Sequence, residues 1–238
     1  MRKLYSILAG FTVFALIVYA LLPNREFSES IYPLPFNTTV SFYDDQADGG
    51  TSVAGISMID SSFVFKCKLH GDNEKPAWCG LIWDFNLNQQ YSYRNWTFVD
   101  SLILNIKTEN INEMIIKVWA YDPDVTDEQV KTSFRPLIKE IPLKGGVERI
   151  SVPMEFLRVP DWWYQQNNVN ENLKQRHQGS IARFEITPGW EVKRDQDFQI
   201  EIISIEAKGL SNLAFGILLF FFLVVFSIAI GYQNKMRR

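Results

Sequence analysis

The hydrophobic pattern divides the chain into two uncharged apolar runs near its ends and a mixed segment between them. Residues 4–22 and 213–230 contain no charged side chain. Each run is close to the roughly 20 apolar residues that a helix needs to cross a bilayer core. Neither run shows the polar face of a helix packed on a soluble domain. The pattern predicts transmembrane helices over 4–22 and 212–231.

Basic residues flank both apolar runs on their terminal sides. Arg2 and Lys3 precede the first run, and Lys235, Arg237 and Arg238 follow the second. The positive-inside rule therefore predicts cytoplasmic segments 1–3 and 232–238, with 23–211 on the opposite side of the membrane.

An alternative interpretation of the first run is a cleavable signal peptide. Arg2 and Lys3 would form its basic start, and Val18-Tyr19-Ala20 resembles a small-residue cleavage site. The run is longer than the apolar region of a usual signal peptide, which favours a retained helix. Cleavage would leave one span and the same domain outside the cytoplasm.

The segment between the runs is acidic. The chain has 24 basic and 27 acidic residues, and the five basic residues named above lie outside the segment, which leaves it with an excess of eight acids. Such a charge disfavours binding to nucleic acid or docking on anionic lipid. No Pro/Gly/Ser-rich linker interrupts the segment, so one domain is expected.

Short stretches that alternate in polarity, or that are rich in β-branched and aromatic residues, fill the middle segment. The predicted strands are 36–43, 62–69, 77–85, 98–107, 114–121, 134–141, 148–153, 181–186 and 198–207. Single helical turns are predicted at 154–157 and 170–175. Because no longer amphipathic helix intervenes, the pattern predicts an all-β antiparallel sandwich or jelly roll.

The two cysteines lie in neighbouring predicted strands. If these strands form a hairpin centred on Asn73, Cys67 faces Cys79 and Phe65 faces Leu81 on the same side of the sheet. Facing positions are within reach of a disulfide, which persists in an oxidising compartment. The alternative is two buried free thiols.

Five segments together resemble galactose-binding-like β-sandwiches, the fold of many carbohydrate-binding modules. They are FYDDQADGGTSVAGI at 42–56, the pair FVFKCKL and CGLIWDF, RISVPMEFLRVPDWW at 149–163, and DFQIEIISIEAKG at 197–209. The resemblance implies a glycan ligand. Similar domains also lie between two spanning helices in bacterial membrane sensors, ahead of a catalytic output module. Only 232–238 follows the second run here, so signalling through a partner is expected.

An acidic cluster before a glycine-rich turn is a candidate cation site. Asp44, Asp45 and Asp48 could supply oxygen ligands to Ca²⁺. The resemblance implies a structural calcium near the first and last strands, to which Glu201 or Glu206 could contribute. The alternative is a solvated turn in which the carboxylates cap the backbone.

Tryptophans are the candidate ligand-binding residues. The chain has seven of them, and exposed aromatic rings stack on the apolar faces of sugars. Trp78, Trp96, Trp162 and Trp163 are predicted to bind a ligand; Trp190 also lies in a loop, whereas Trp83 and Trp119 lie inside strands and are expected in the core. On an extended chain the neighbours Trp162 and Trp163 would point in opposite directions, so one of them is expected to be exposed and to face a ligand, a partner or the membrane interface.

The sequence contains no nucleophile elbow, phosphate loop or metal-hydrolase motif. We therefore expect a non-enzyme: a bacterial inner-membrane protein whose periplasmic sandwich binds a glycan and signals through a membrane or cytoplasmic partner. One alternative is a membrane-anchored scaffold subunit that binds another envelope protein. Another is an enzyme that modifies envelope polysaccharide, which rests on analogy of fold.

Overall fold

A computed structural model of the protein describes residues 2–21, 26–35, 38–59, 62–72, 75–85, 93–170, 175–210 and 212–237. The chain forms two compact units. One unit is Glu29–Ala207, and the other combines Met1–Ser28 with Lys208–Arg238.

Three α-helices are present among the described residues: α1 (Arg2–Leu21), α2 (Asp161–Gln166) and α3 (Asn212–Arg237). Helices α1 and α3 pack on each other, and the rings of Phe11 and Phe221 stack with their centroids 5.4 Å apart. Within α3, Phe215–Lys235 is long and apolar enough to cross a membrane, whereas the apolar part of α1, Tyr5–Leu21, is shorter. One candidate span is therefore found in the described chain, and the two-span arrangement remains a prediction.

Eleven strands are described in the chain. They are β1 (Glu26–Tyr32), β2 (Thr39–Asp44), β3 (Val53–Ile59), β4 (Ser62–Lys68), β5 (Cys79–Asp84), β6 (Val99–Glu109), β7 (Glu113–Ala120), β8 (Arg135–Pro142), β9 (Gly146–Pro153), β10 (Ile181–Pro188) and β11 (Asp197–Leu210). Each of the nine predicted strands overlaps one of these; residues 36 and 37 of the first prediction lie outside the described residues. The sequence pattern missed β1 and β3.

The strands form two antiparallel sheets. The first sheet has the order β3-β4-β11-β6-β9, with β1 beside β11, and the second has the order β2-β5-β10-β7-β8. The prediction of an antiparallel β-sandwich is therefore confirmed for the middle of the chain.

Inward-facing side chains of both sheets form the core. Trp83 and Phe184 meet from neighbouring strands of the second sheet, with ring centroids 5.3 Å apart. Phe65 and Phe198 meet in the first sheet at 6.3 Å. All four rings are almost fully buried, and burying a side chain of this size contributes about 1.5–3 kcal/mol.

The predicted hairpin between the cysteine-bearing strands is wrong. Strand β4 pairs with β3 and β11 in the first sheet, and β5 pairs with β2 and β10 in the second. A disulfide nevertheless joins Cys67 to Cys79, so it links the two sheets rather than two strands of one sheet. Alternation with period two identifies the residues that face inward, and it does so equally whether the two strands share a sheet or face each other across the core. The predicted loop centre, Asn73, lies outside the described residues.

Short helical segments follow β9. Met154–Phe156 forms the single turn predicted at 154–157. Of the turn predicted at 170–175, residues 171–174 lie outside the described residues. The sequence pattern does not predict helix α2, which carries Trp162 and Trp163, so the expectation of an extended chain at these two residues is wrong.

Candidate functional site

Strand β10 lies at the centre of the second sheet and carries polar residues on its outward face. Phe184 and Ile186 face the core, so alternation places Arg183, Glu185 and Thr187 on the opposite side. These three polar side chains are nevertheless buried, at 6%, 3% and 7% exposure. Other parts of the chain must therefore cover this face or fill it.

One end of the face is closed by the connection between β7 and β8. The Arg183 guanidinium lies 4.4 Å from the ring centroid of Phe134, and it donates to the Lys131 carbonyl at 3.4 Å. Tyr93 and Tyr121 stack beside Phe134 with their centroids 4.9 Å apart. This packing leaves the face accessible towards the end where Thr187 lies.

Glu185 organises the middle of the face through three hydrogen bonds. Its carboxylate accepts from the Tyr43 hydroxyl at 2.5 Å, from the Lys117 ammonium at 2.7 Å and from the Trp119 indole N–H at 2.6 Å. Burial raises the pKa of Tyr43, and the adjacent Glu185 carboxylate raises it further, so the phenol stays protonated and donates. The network fixes Tyr43 and Lys117 at the floor of the open end.

A groove of about 380 Å³ occupies the open end. The sheet supplies its floor, and the β4–β5 and β10–β11 connections supply its walls. The groove is lined by, among others, Tyr43, Ile115, Lys117, Thr187, Trp78 and Trp190. Trp190 is 73% exposed and Trp78 is 36% exposed, so both rings are accessible from solvent.

The wall that carries Trp78 is held by three residues that the sequence identifies as candidates. Cys79 is bonded to Cys67, and the backbone N–H of Trp78 donates to Asp45 at 3.3 Å. Asp45 also accepts from the amide and hydroxyl of Ser52, at 2.8 and 2.6 Å. Burial raises the pKa of Asp45, but these donors and His70 outweigh it, so the pKa lies below its usual range.

The wall that carries Trp190 is held by contacts with β8 and with the opposite wall. The Trp190 indole N–H donates to the Glu140 carboxylate at 2.8 Å. Arg194 reaches the other wall and donates to the carbonyls of Lys75, at 2.8 Å, and Asp72. Gly189 packs so closely on Glu113 that a Cβ would lie 2.1 Å from its carboxylate. Both aromatic walls therefore rest on a braced backbone.

In the structure, two of the three predicted calcium ligands, Asp44 and Asp45, accept hydrogen bonds from backbone amides instead. Asp44 accepts from the amides of Gln46 and Ala54, Asp45 is saturated as described above, and Asp48 is exposed. Glu206 and Glu201 lie on β11, and Glu201 is 3.9 Å from Lys107. No group of three or more metal-ligating side chains is found among the described residues. The geometry favours the capping alternative, and calcium remains an untested prediction.

The four predicted ligand-binding tryptophans are separated in the structure. Trp78 lines the groove, and Trp162 is exposed on α2 but is not among the groove residues. Trp96 and Trp163 are fully buried, and Trp96 donates to Glu29 at 3.1 Å. These two rings therefore present no face to a ligand. The sequence could not show this, because a loop position does not reveal which residues pack over it.

Sequence reasoning missed most of the groove. Tyr43, Lys117 and Glu185 come from three strands, and Trp190 is not among the four tryptophans that the sequence predicts to bind a ligand. The available signal was a charged residue inside each of two apolar strands, Lys117 in MIIKVWAY and Glu185 in IARFEITP. A charge inside a strand that is buried on both faces needs a partner.

The arrangement suits a ligand with both apolar and hydroxyl-bearing surfaces. Two exposed indoles can stack on flat apolar faces, as aromatic rings do in many binding sites. At the floor, Lys117 can donate to hydroxyl groups, and Thr187 can both donate to them and accept from them. None of the described lining residues is a carboxylic acid or a histidine.

The comparisons with known proteins identify the fold. No protein-family model and no curated protein matches the sequence. Among solved structures, the family 11 carbohydrate-binding module of the cellulosomal cellulase Lic26A-Cel5E of Clostridium thermocellum aligns with a TM-score of 0.52 and 10% identity, over 77% of this chain and 94% of that one.

A second structure, the family 11 module from Clostridium thermocellum in complex with a β-1,3-1,4-mixed-linked tetrasaccharide, aligns with a TM-score of 0.51 and 10% identity. It covers 78% of this chain and 96% of that one. At this identity the likeness concerns the fold. The middle of this chain has the β-sandwich fold of carbohydrate-binding modules.

Proposed function

We propose that the middle of the chain binds a glycan in the groove on the second sheet. The observation that carries the proposal is the pair of exposed indoles, Trp78 and Trp190, on opposite walls above a polar floor. Sugars offer apolar C–H faces to such rings and hydroxyl groups to the floor. The fold shared with carbohydrate-binding modules supports this ligand class.

The floor favours a glycan over a purely apolar ligand. Lys117 is held by Glu185 at 2.7 Å, and an ammonium has further donors beyond that one bond. Because Glu185 already accepts three hydrogen bonds, its charge is balanced inside the protein. An uncharged ligand with hydroxyl groups can then bind without burying an unpaired carboxylate.

The chain is proposed to act at the bacterial inner membrane as a binding protein rather than an enzyme. Helices α1 and α3 would both span the bilayer, with cytoplasmic termini and the sandwich in the periplasm. The disulfide supports an oxidising compartment for the sandwich. Glycan occupancy would be passed to a protein partner through the helices or the domain surface.

The test is binding by the full chain in lipid nanodiscs, because maltoside and glucoside detergents carry sugars that would compete. The probes are a mixed-linkage β-1,3-1,4-glucan tetrasaccharide, other plant glucans and peptidoglycan fragments. A glycan that binds the folded state raises stability by about 2.7 kcal/mol at a hundredfold excess over its dissociation constant. A saturable rise in melting temperature and a change in tryptophan fluorescence are expected for at least one probe. No response across the panel would refute a glycan ligand of these classes.

Matched tryptophan variants locate the site. Trp190→Ala and Trp78→Ala are each expected to weaken binding about tenfold, equivalent to about 1.4 kcal/mol. Trp162→Ala is the control, since Trp162 is 43% exposed but lies outside the groove. Equal losses for all three variants would argue against the groove, and a loss confined to Trp162→Ala would place the site at α2.

A second candidate function is protein binding at the edge of the first sheet. Strand β3 is an edge strand and exposes Val53, Met58 and Ile59, at 56%, 62% and 51%. Exposed apolar edges pair with strands of other proteins. In membranes, crosslinking from β3 to a stoichiometric partner, abolished by Ile59→Lys, would support a scaffold role; an unaltered crosslinking pattern in Ile59→Lys would exclude this edge.

A further inference from the structure

A second cavity lies beside α2, on the flank of β8. Its volume is about 470 Å³, and it shares no lining residue with the groove. The lining residues are Leu137, Leu157, Arg158, Val159, Asp161, Tyr164 and Arg176. Two arginines therefore meet in one pocket of a domain that is acidic overall.

Arg176 is held in the pocket with part of its hydrogen-bonding capacity unused. Its Nη2 donates to the carbonyls of Leu157, at 2.8 Å, and Met154. Its Nε is buried and has no hydrogen-bond partner among the described residues. Leaving a buried donor unpaired is unfavourable, so an acceptor that entered the pocket and reached this N–H would be favoured.

The charge of Arg176 is also poorly compensated. Burial lowers the pKa of Arg176, while Glu155 opposes this shift from a distance. Within the described chain, neither Arg176 nor Arg158 forms an ion pair with a carboxylate. Among the described residues, no carboxylate forms an ion pair with the partly buried guanidinium of Arg176.

The backbone around the pocket is well anchored. Arg158 exchanges two backbone hydrogen bonds with Ile138 of β8, at 2.8 and 2.9 Å. Tyr164 is buried and packs against the guanidinium of Arg135, which lies 5.7 Å from its ring centroid. The exposed Arg158 side chain thus projects from a fixed strand-like segment, and Arg176 is fixed by the carbonyls that it contacts.

We infer that this pocket binds an oxyanion, the carboxylate or phosphate group of a ligand, through Arg158 and Arg176. Guanidinium groups match the geometry of both anions and can donate two parallel hydrogen bonds. Asp161 is the one acid among the described lining residues, and its charge would oppose such a ligand. The inference does not depend on glycan binding in the groove.

The first experiment titrates the full chain in nanodiscs of zwitterionic lipid, which keeps anionic headgroups away from the pocket. The probes are sodium glucuronate and inorganic phosphate, with glucose and ionic-strength-matched sodium chloride as controls. A saturable rise in melting temperature is expected with glucuronate, phosphate or both, and none with the controls. A response to glucuronate alone assigns a carboxylate, and one to phosphate alone assigns a phosphate. No saturable response to either overturns the inference.

Charge variants then test the assignment. Arg158→Gln replaces the exposed guanidinium with a neutral amide and is expected to weaken anion binding about tenfold. Arg149→Gln, an exposed position on β9, is the matched control and should leave it unchanged. Equal weakening by both would show a general charge effect and overturn the site.

Asp161→Asn is expected to have the opposite effect on anion affinity. Removing the opposing carboxylate should tighten anion binding about threefold. Weaker binding in Asp161→Asn would mean that the ligand is recognised through Asp161, and the oxyanion assignment would be wrong. Trp190→Ala should leave the anion response unchanged. A loss of that response in Trp190→Ala would place the anion in the groove instead.

Discussion

At the scale of single residues, Asp45 is an acid that holds the backbone in place through hydrogen bonds. It is 1% exposed and accepts hydrogen bonds from Ser52 and from the amide of Trp78. Asp45→Ala would leave several buried donors unpaired, so we expect a loss of about 3 kcal/mol in the free energy of unfolding. Urea titration of the full chain measures it. Asp48→Ala, at an exposed neighbour, should stay within about 0.5 kcal/mol of wild type.

The same carboxylate predicts a pH dependence. Its folded pKa is below the ordinary value, so its contribution is complete above the unfolded pKa of about 3.9 and is lost as the pH falls towards the folded pKa. The stability difference between wild type and Asp45→Asn should therefore shrink below about pH 4 and be constant from pH 5 to 7. Urea midpoints over this range test it, and a difference that grows on acidification would contradict the assignment.

Gly80 tests the floor of the groove without altering a polar group. A Cβ at Gly80 would lie 2.5 Å from the Tyr43 ring, so Gly80→Ala must displace the phenol that donates to Glu185. We expect glycan binding to weaken about tenfold, measured by the fluorescence titration proposed above. Gly55→Ala is the control, because a Cβ there meets nothing within 4 Å. Unchanged binding in Gly80→Ala would remove Tyr43 from the site.

At the scale of elements, the disulfide joins the two sheets at the base of a groove wall. It closes a loop with a sequence separation of 12, for which the chain-entropy model gives about 3 kcal/mol. We expect the double variant Cys67→Ser with Cys79→Ser to lose about that much stability in urea, and dithiothreitol to reproduce the loss in wild type. Dithiothreitol should have no effect on the double variant. A wild type that is insensitive to reduction would show that the link contributes little.

The sequence pattern located most strands but could not pair them. Alternation marked Phe65 and Leu81 as inward-facing, which is correct, yet it fits partners in one sheet as well as partners across the core. Strand β3 was missed because it is an exposed edge without a continuous apolar face, and α2 because six residues are too few for a helical period. Element pairing depends on long-range packing that local periodicity does not contain.

For the site, too, the sequence identifies single residues but not how they come together. The sequence predicts Trp78 because it shows which tryptophans lie in loops or at strand ends, whereas the Glu185 network joins strands that are far apart in the chain. Trp96 and Trp163 were indistinguishable from Trp78 by local context, and only the fold shows that they are buried. The chemistry of each residue can be taken directly from the sequence. Which residues come together on one surface depends on the fold.

At the scale of the whole molecule, the acidic middle and the basic ends make a prediction about membrane topology. The native cysteines are disulfide-bonded, so single introduced cysteines report alone. We choose Gln129→Cys on the exposed β7–β8 connection and Lys235→Cys near the end of α3. In bacterial cells with a permeabilised outer membrane, a membrane-impermeant maleimide should label Gln129→Cys, and it should label Lys235→Cys only after lysis.

The pattern of labelling distinguishes the arrangements that the charges allow. Labelling of both positions in intact cells would place the C-terminus outside the cytoplasm and contradict the positive-inside assignment. Labelling of neither before lysis would place the sandwich in the cytoplasm, where a structural disulfide is not expected to persist. A retained and a cleaved α1 give the same labelling. The intact mass of the purified chain distinguishes them. The labelling experiment therefore tests the membrane topology and the compartment of the sandwich together, and the compartment determines whether the disulfide can persist.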